Sequence, residues 1–205
     1  MAPIAPRVLR RRGRAHAWHP RRVQPDSREL STPRLRLRPL LLADARPLAR
    51  LRDDPEVARH QSWQRYSEAD ADALIHNLAG QRPGTAGAWF QWAIERRSDA
   101  VLLGDCGLKT CDDPRLGELG YTLGRAHQRQ GFASEAVRAV LDLAFRELGM
   151  HRVSASIDVD NLASIALCER LGLRREAHFR RSVWFKGAWC DDIVYAILGD
   201  EWLAR

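Results

Sequence analysis

The chain has no long apolar segment. A membrane-spanning helix needs about 18 or more consecutive apolar residues, and even the run 40–42 is bounded by Arg38 and Arg46. The composition, 45% hydrophobic and 29% charged over 205 residues, is typical of a globular protein with one sizeable core. We therefore expect a soluble, cytoplasmic protein without membrane contact.

Cysteine is scarce as well. The four cysteines, Cys106, Cys111, Cys168 and Cys190, form no Cys-x-x-Cys pair, and no histidine lies at metal-binding spacing. A disulfide framework or a zinc site would need such an arrangement. The sequence predicts a reducing compartment and no metal.

Lysine is almost absent, and the positive charge is unevenly distributed. There are two lysines against 31 arginines, and residues 1–30 hold eight arginines but only two acidic residues. Residues 31–205 hold 25 basic and 24 acidic residues, so the net charge of +7 comes almost entirely from the first 30. The body of the chain is nearly neutral, which argues against a nucleic-acid-binding domain.

Residues 1–29 form an Arg- and Pro-rich leader with no apolar periodicity. Such a segment cannot bury enough surface to offset its ordering entropy, so we expect it to be disordered. Three interpretations are open. In the first, the leader is an arm that contacts the ribosome or another acidic surface. In the second, it is a leader without a function or a misassigned start, and in the third it is an organellar transit peptide. We favour the second interpretation.

Residues 30–205 alternate between strand and helix patterns. Apolar and basic residues alternate over 34–38, as in a half-buried strand, and residues 132–148 place apolar side chains on one helical face before Gly149. Asn161 is a good N-cap for a helix that Gly172 ends. Taken together, the patterns predict one α+β domain with the order βααβββαβαββ.

The segment Gly124–Ser134 lies between a predicted strand and a predicted helix. Backbone N–H groups at a helix N-terminus bind anions, and the small residues Gly131 and Ala133 allow a phosphate close to the backbone. Arg129 adds positive charge. Gly131 alone could simply ease a loop into a helix, but its context favours a pyrophosphate site.

Two motifs carry a family resemblance. Gln128-x-x-Gly131-x-Ala133 resembles the Q/R-x-x-G-x-G/A acetyl-CoA signature of GNAT acetyltransferases, and residues 158–177, DVDNLASIALCERLGLRREA, resemble the N-x-x-S-x-x-L-x-E-x-L-G-F element of the branch that acetylates ribosomal-protein N-termini, the RimJ- and RimL-like enzymes. The resemblance runs from about Leu30 to Trp202, so residues 30–205 are expected to form a GNAT domain.

The resemblance implies a three-layer sandwich around a strongly bent, splayed, mostly antiparallel sheet. It also implies that acetyl-CoA, as acetyl donor, lies in the splay and that an amine attacks the thioester directly, with no metal. The implied contacts with the pyrophosphate come from Gln128, Arg129, Gln130, Gly131, Phe132, Ala133 and Ser134. Those with the pantetheine amides come from Tyr121, Thr122 and Leu123. Asn161 and Ser164 are implied to contact the pantetheine arm from its far side.

For catalysis, Glu118 is the candidate general base and Ser164 the candidate donor to the leaving thiolate. A surface role for Glu118 and a local hydrogen bond for Ser164 are the alternatives. An N–H near Leu123 is expected to face the oxyanion. The sequence departs from a common family pattern at Cys168, where many members have a tyrosine, and Cys168 is expected to be core. The stretch 179–187 also lacks a carboxylate that part of the branch uses.

The acceptor amine is less constrained. Trp63, Tyr66 and Trp184 are the candidate substrate-binding residues, because flat rings can line a slot for a peptide or an amino sugar. The first hypothesis is a protein N-terminus of the ribosomal-protein type, and the second is a small amine such as an aminoglycoside, amino acid or polyamine. A third is a non-catalytic acetyl-CoA- or RNA-binding module. Either a monomer or a homodimer is compatible with the sequence.

Overall fold

A computed structural model describes residues 29–205. The leader, and with it the expectation that it is disordered, lies outside the described residues. Within them, no helix is both long and apolar enough to cross a membrane. No cluster of three or more His, Cys, Asp or Glu side chains in this part of the chain could hold a metal ion.

The strands form one mixed sheet of eight, in the order β1-β2-β3-β4-β5-β6-β8-β7. Every neighbouring pair is antiparallel except β5 and β6, which are parallel. The strands are β1 Leu30–Ser31, β2 Leu35–Pro39, β3 Trp89–Arg96, β4 Leu102–Thr110, β5 Leu116–Leu123, β6 Arg152–Asp158, β7 Arg174–Phe185 and β8 Ala188–Leu198.

In the described part of the chain, six α-helices accompany the sheet: α1 Ala45–Arg52, α2 Pro55–Ala58, α3 Glu68–Leu78, α4 Phe132–Asp142, α5 Leu162–Arg170 and α6 Gly199–Leu203. A π-helical turn, Leu143–Glu147, extends α4. The predicted α+β class and element order are confirmed. The structure adds β1, α2 and α6, which are two to five residues long and too short to show a period.

Helices cover both faces of the sheet. Against one face, α4 and α5 enclose the main core, which includes Trp92, Val137 and Leu171. Against the other face, α1 and α3 pack over a smaller core that includes Leu48 and Ala93. This is the expected three-layer arrangement, and it gives the sheet two distinct sides.

Helix α1 is fixed to the sheet by an arginine–carboxylate cluster near each end. Before its start, Arg38 contacts Asp44 at 2.6 Å and Glu95 at 2.7 Å. At its other end, Arg52 contacts Asp105 of β4 at 2.6 Å, and both side chains are at most 5% exposed. Burial acts to lower the pKa of Arg52, but Asp105 outweighs it, so the pKa is raised and the pair stays ionised. Removing one partner of such a pair costs about 3–5 kcal/mol.

Strands β7 and β8 form a long hairpin. Its tight turn, Lys186-Gly187, has φ angles of 49° and 87°, the positive values that hairpin turns favour. Strand β7 is the outer edge of the sheet and is mostly exposed. It carries four arginines, Arg174, Arg175, Arg180 and Arg181.

Deleting residues 1–28 tests whether the leader is needed by the domain. We expect Tm to change by less than about 2 °C, because surface changes alter stability by only about 0.5 kcal/mol. Acetyl-CoA affinity should also be retained. Thermal unfolding and cofactor titration of the full chain beside residues 29–205 make the comparison. Loss of cofactor binding on deletion would contradict the expectation. A selective, salt-dependent loss of ribosome or RNA binding would instead favour the interpretation of the leader as an arm that contacts the ribosome.

Candidate functional site

The sheet splits between its two parallel strands. Strands β5 and β6 pair only at Leu116–Arg152, Gly117–Val153 and Glu118–Ser154. Strand β5 stays paired with β4 as far as Leu123. Beyond Glu118, the side of β5 that faces β6 therefore has no partner strand from residues 29–205. We call this opening the fork and Glu118 its vertex. The predicted splay is confirmed at this place.

The free edge of β5 can bind an extended ligand through its backbone. The N–H of Gly124 donates to Leu103 O of β4 at 2.9 Å. Successive N–H groups on a strand point to opposite sides, so the N–H groups of Leu123 and Tyr121 point into the fork. Gly104 lets β4 approach this end of β5 closely, because a Cβ there would lie 2.0 Å from Thr122 O. The geometry suits strand-like pairing with amides.

The loop after β5 forms a row of backbone donors at the start of α4. Arg129 and Gly131 have φ angles of 60° and 81°, a left-handed geometry that turns successive N–H groups towards one point. Among the described residues, no hydrogen bond uses the backbone N–H groups of 129–134. The Gln128 side chain donates to Leu123 O at 3.0 Å and so braces the loop. We call residues 129–134 the cradle.

Arginines from distant parts of the chain surround the cradle. Arg34 donates to Gln130 O at 3.0 Å and pairs with Glu135 at 2.6 Å. Burial opposes ionisation of Glu135, but hydrogen bonds from Thr32 and Arg34 prevail and lower its pKa. Arg170 of α5 donates to Ser134 Oγ at 3.2 Å. Sequence reasoning missed Arg34 and Arg170, because neither belongs to the motif. Their charge favours an anion at the cradle.

Helix α5 borders the fork on the side of the main core. Asn161 Oδ1 accepts from the Ser164 N–H at 3.1 Å, so Asn161 is the predicted N-cap of this helix. One turn later, Cys168 is fully buried, and burial raises its pKa to about 11. It is a neutral core thiol. Tyr121 of β5 is directed towards Ser164 and Cys168.

Glu118 faces the opposite side of the sheet. Its cross-strand partner on β4 is Lys109, and Thr122, four residue pairs further on, opposes Asp105. Side chains at these positions share one face, and this is the face covered by α1. No hydrogen bond or ion pair of the Glu118 carboxylate is found within residues 29–205. The Glu118 carboxylate at the vertex is half-buried.

The three predicted acceptor residues lie in two places. Trp63 and Tyr66 stack on the Arg52 guanidinium, 4.7 and 4.8 Å from their ring centroids, and so cover the Arg52–Asp105 pair. Trp184 lies at the hairpin tip, is 61% exposed and contacts Trp189. Packing therefore accounts for Trp63 and Tyr66, and a direct contact with substrate stays a prediction for all three.

The hairpin reaches across the sheet to α2. Lys186 Nζ donates to Ala58 O at 2.6 Å. His60 Nδ1 and an Asp158 carboxylate oxygen lie 2.8 Å apart. These contacts close one side of the surface beyond Glu118. Sequence reasoning missed them, because roughly a hundred residues separate the partners.

Comparisons with known proteins agree with this geometry. The family model described as an acetyltransferase (GNAT) domain matches residues 34–174. The uncharacterized N-acetyltransferase p20 of Bacillus licheniformis is 32% identical over 84% of this chain and 97% of its own length.

Two proteins of known structure share the fold but carry different names. Mycobacterium smegmatis RimJ in complex with CoA-disulfide has a TM-score of 0.72 at 24% identity, covering 82% of this chain and 83% of the other. Spermidine N-acetyltransferase from Vibrio cholerae in complex with CoA and spermine has a TM-score of 0.72 at 23% identity, covering 82% and 98%. The two TM-scores are equal, so the similarity of fold does not favour one of these proteins over the other.

A Gly131→Ala substitution tests the cradle. At φ 81° the added Cβ is strained and would lie 3.3 Å from an Arg34 guanidinium nitrogen. A left-handed residue other than glycine costs about 1–2 kcal/mol, so relaxation of the loop should lower acetyl-CoA affinity about tenfold or more. Gly131→Asp, which adds like charge, should lower it further. Isothermal titration measures both.

Gly187→Ala is the matched control for this test. Gly187 has φ 87°, and a Cβ there would meet no heavy atom within 4 Å. It should lose stability through the same backbone strain while keeping parental affinity for acetyl-CoA. Equal affinity losses at Gly131 and Gly187 would show that the cradle is not the binding site.

Proposed function

Because the chain belongs to the GNAT acetyltransferase family and is an acetyl-CoA-dependent acyltransferase, we propose that its acceptor is the N-terminal amine of a protein, of the ribosomal-protein type. A small-molecule amine is the alternative. The observation that carries the proposal is the single unpaired carboxylate of Glu118 at the vertex. One carboxylate suits one ammonium group, whereas a polyamine presents several.

Neighbouring carboxylates on this side of the sheet are already engaged. Asp105 is paired with Arg52, and Asp158 contacts His60. Asp192 of β8, the cross-strand partner of Asp158, accepts from Ser156 Oγ at 2.7 Å. A site for a polycation would be expected to keep such groups free. The charge pattern therefore favours an acceptor with one amine at the reaction centre.

The cofactor contacts follow from the fork and the cradle. Acetyl-CoA supplies an activated acetyl group as a thioester. The backbone N–H groups of residues 129–134 bind its pyrophosphate, with Arg34, Arg129 and Arg170 adding positive charge. The N–H groups of Tyr121 and Leu123 pair with the pantetheine amides along the free edge of β5. Asn161 serves the site by holding the start of α5 in place.

Proton transfer is assigned to Glu118. The attacking amine must lose a proton, and the Glu118 carboxylate accepts it directly or through water. A backbone N–H near Leu123 on the free edge of β5, other than those that pair with the pantetheine, stabilises the oxyanion that forms on the thioester carbonyl. Because Glu118 lies on the α1 face and Tyr121 on the α5 face, the proton leaves on one side of β5 and the sulfur on the other.

An acceptor screen that follows CoA release tests the proposed function. Peptides with a free N-terminus should be acetylated with at least about tenfold higher kcat/KM than spermidine or an aminoglycoside, a difference of about 1.4 kcal/mol. The same peptides with a blocked N-terminus are the matched control and should be inactive. Faster turnover of a polyamine or aminoglycoside would favour the alternative. No CoA release with any amine would contradict both.

A Glu118→Gln variant tests the base. Turnover should fall about 100-fold at low pH, where few acceptor amines are already neutral, and should partly recover as the pH rises. Acetyl-CoA affinity should be unchanged, because the carboxylate lies away from the cradle. Glu147→Gln, in the extension of α4, is the control with a parental profile. Parental rates for Glu118→Gln across a pH–rate profile would exclude a proton-transfer role.

A further inference from the structure

Tyr121 carries a buried hydroxyl that no hydrogen bond satisfies. It is one of two side-chain polar atoms in residues 29–205 that are buried without a partner, the other being Thr110 Oγ1. Burial in a protein normally requires a hydrogen bond, since an unpaired polar group loses its contacts with water. Tyr195, by contrast, donates to Glu169 Oε1 at 3.0 Å. A position that needed only packing would be served equally by phenylalanine.

The location of this hydroxyl is specific. Tyr121 lies on β5 three residues beyond the vertex, and its side chain points to the α5 side of the fork. Its polar neighbours are the Ser164 hydroxyl and the Cys168 thiol, which both affect its pKa. Burial, followed by Cys168, raises the pKa of Tyr121 well above its usual value, so the phenol stays protonated.

The direction of the hydrogen bonds follows from burial and from the chemistry of the neighbours. The Tyr121 oxygen is closed to solvent, and of the two polar side chains that interact with it, the Ser164 hydroxyl is a better acceptor than the Cys168 thiol. Ser164 is half-buried, and within residues 29–205 its hydroxyl makes no hydrogen bond of normal geometry. A hydroxyl that accepts from one side donates more strongly on the other.

We propose that Tyr121 is a positioning residue that donates to Ser164 Oγ and thereby directs the Ser164 proton to the leaving sulfur. The inference rests on the proposed function, in which the thioester lies in the fork. As the amine nitrogen bonds to the carbonyl carbon, the carbon–sulfur bond breaks and its electron pair goes to sulfur. The Ser164 O–H donates a hydrogen bond to this thiolate. The proton lost by the amine goes to Glu118, and the thiolate leaves as an anion or takes a proton from water.

Full proton transfer from either hydroxyl is not part of this role. A thiol has an ordinary pKa of about 8.5, below that of the buried phenol, so the proton stays on oxygen. The two side chains do not form a hydrogen bond of normal geometry in this structure, and one is expected to form when the fork is filled.

Tyr121→Phe removes only the hydroxyl, and Tyr195→Phe is the matched control on the same side of the sheet. The first variant should lower kcat about tenfold, as expected for one lost hydrogen bond, with little change in KM for acetyl-CoA. Its Tm should stay level or rise, since the lost group was unsatisfied. Tyr195→Phe should lower Tm, because Glu169 loses its donor, and keep the parental kcat.

Two further measurements identify the route through Ser164. In Ser164→Ala, adding Tyr121→Phe should have no additional effect on kcat, since the two groups act in series. The thiol of CoA bound to the protein, titrated by the ultraviolet absorbance of its thiolate, should have its pKa raised by about 1 in either single variant.

The outcomes are distinguishable. Parental kcat and an unchanged thiol pKa in Tyr121→Phe would overturn the inference, and so would a full additional loss in the Ser164→Ala background. A fall in CoA affinity alone would make Tyr121 a binding residue and would also overturn it. If the parent protein bound no CoA, that result would contradict the proposed function itself, and with it the inference that rests on it. The thiol titration needs no acceptor, so its result does not depend on which amine the enzyme uses.

Discussion

The arrangement of the site depends on how briefly two parallel strands pair. Strands β5 and β6 share only three residue pairs, and then the sheet opens. Had the ladder continued, the backbone groups of residues 119–123 would be satisfied by a neighbouring strand and unavailable to a ligand. The opening also separates the two sides of β5, so that a carboxylate faces one side and hydroxyls face the other. In the proposed mechanism, binding and proton transfer thus depend on a ladder that stops early.

The elements around the opening are held by ion pairs whose partners are distant in the sequence. Arg52 and Asp105 fix α1 to β4, while Arg34 links the edge of the sheet to the first turn of α4. Both pairs hold a helix in place, and the Arg34 side chain also borders the cradle. Rigid helices place the cradle and the face above Glu118 with little freedom, as a catalytic site that relies on geometry requires.

Much of the fold could be predicted, because most elements carry their own signal. The period of the helix after Gly131 and the cap at Asn161 are both local, and the structure confirms them. The contacts of Arg34 and His60 could not be predicted, since they join residues about a hundred positions apart. Trp63 and Tyr66 were assigned to the acceptor from their chemistry alone, whereas in the structure both rings cover Arg52. A local sequence pattern does not show which distant residue an aromatic ring will contact.

The exposed outer strand has a consequence for how the protein behaves in a crowded solution. An open edge of a sheet offers unpaired backbone groups to any other strand and so invites aggregation. Strand β7 is such an edge, and its four arginines would be brought near one another if two copies paired edge to edge. Such repulsion disfavours edge-to-edge pairing of the sheets of separate molecules. The arginines of β7 are thus explained as a safeguard against fibre-like association.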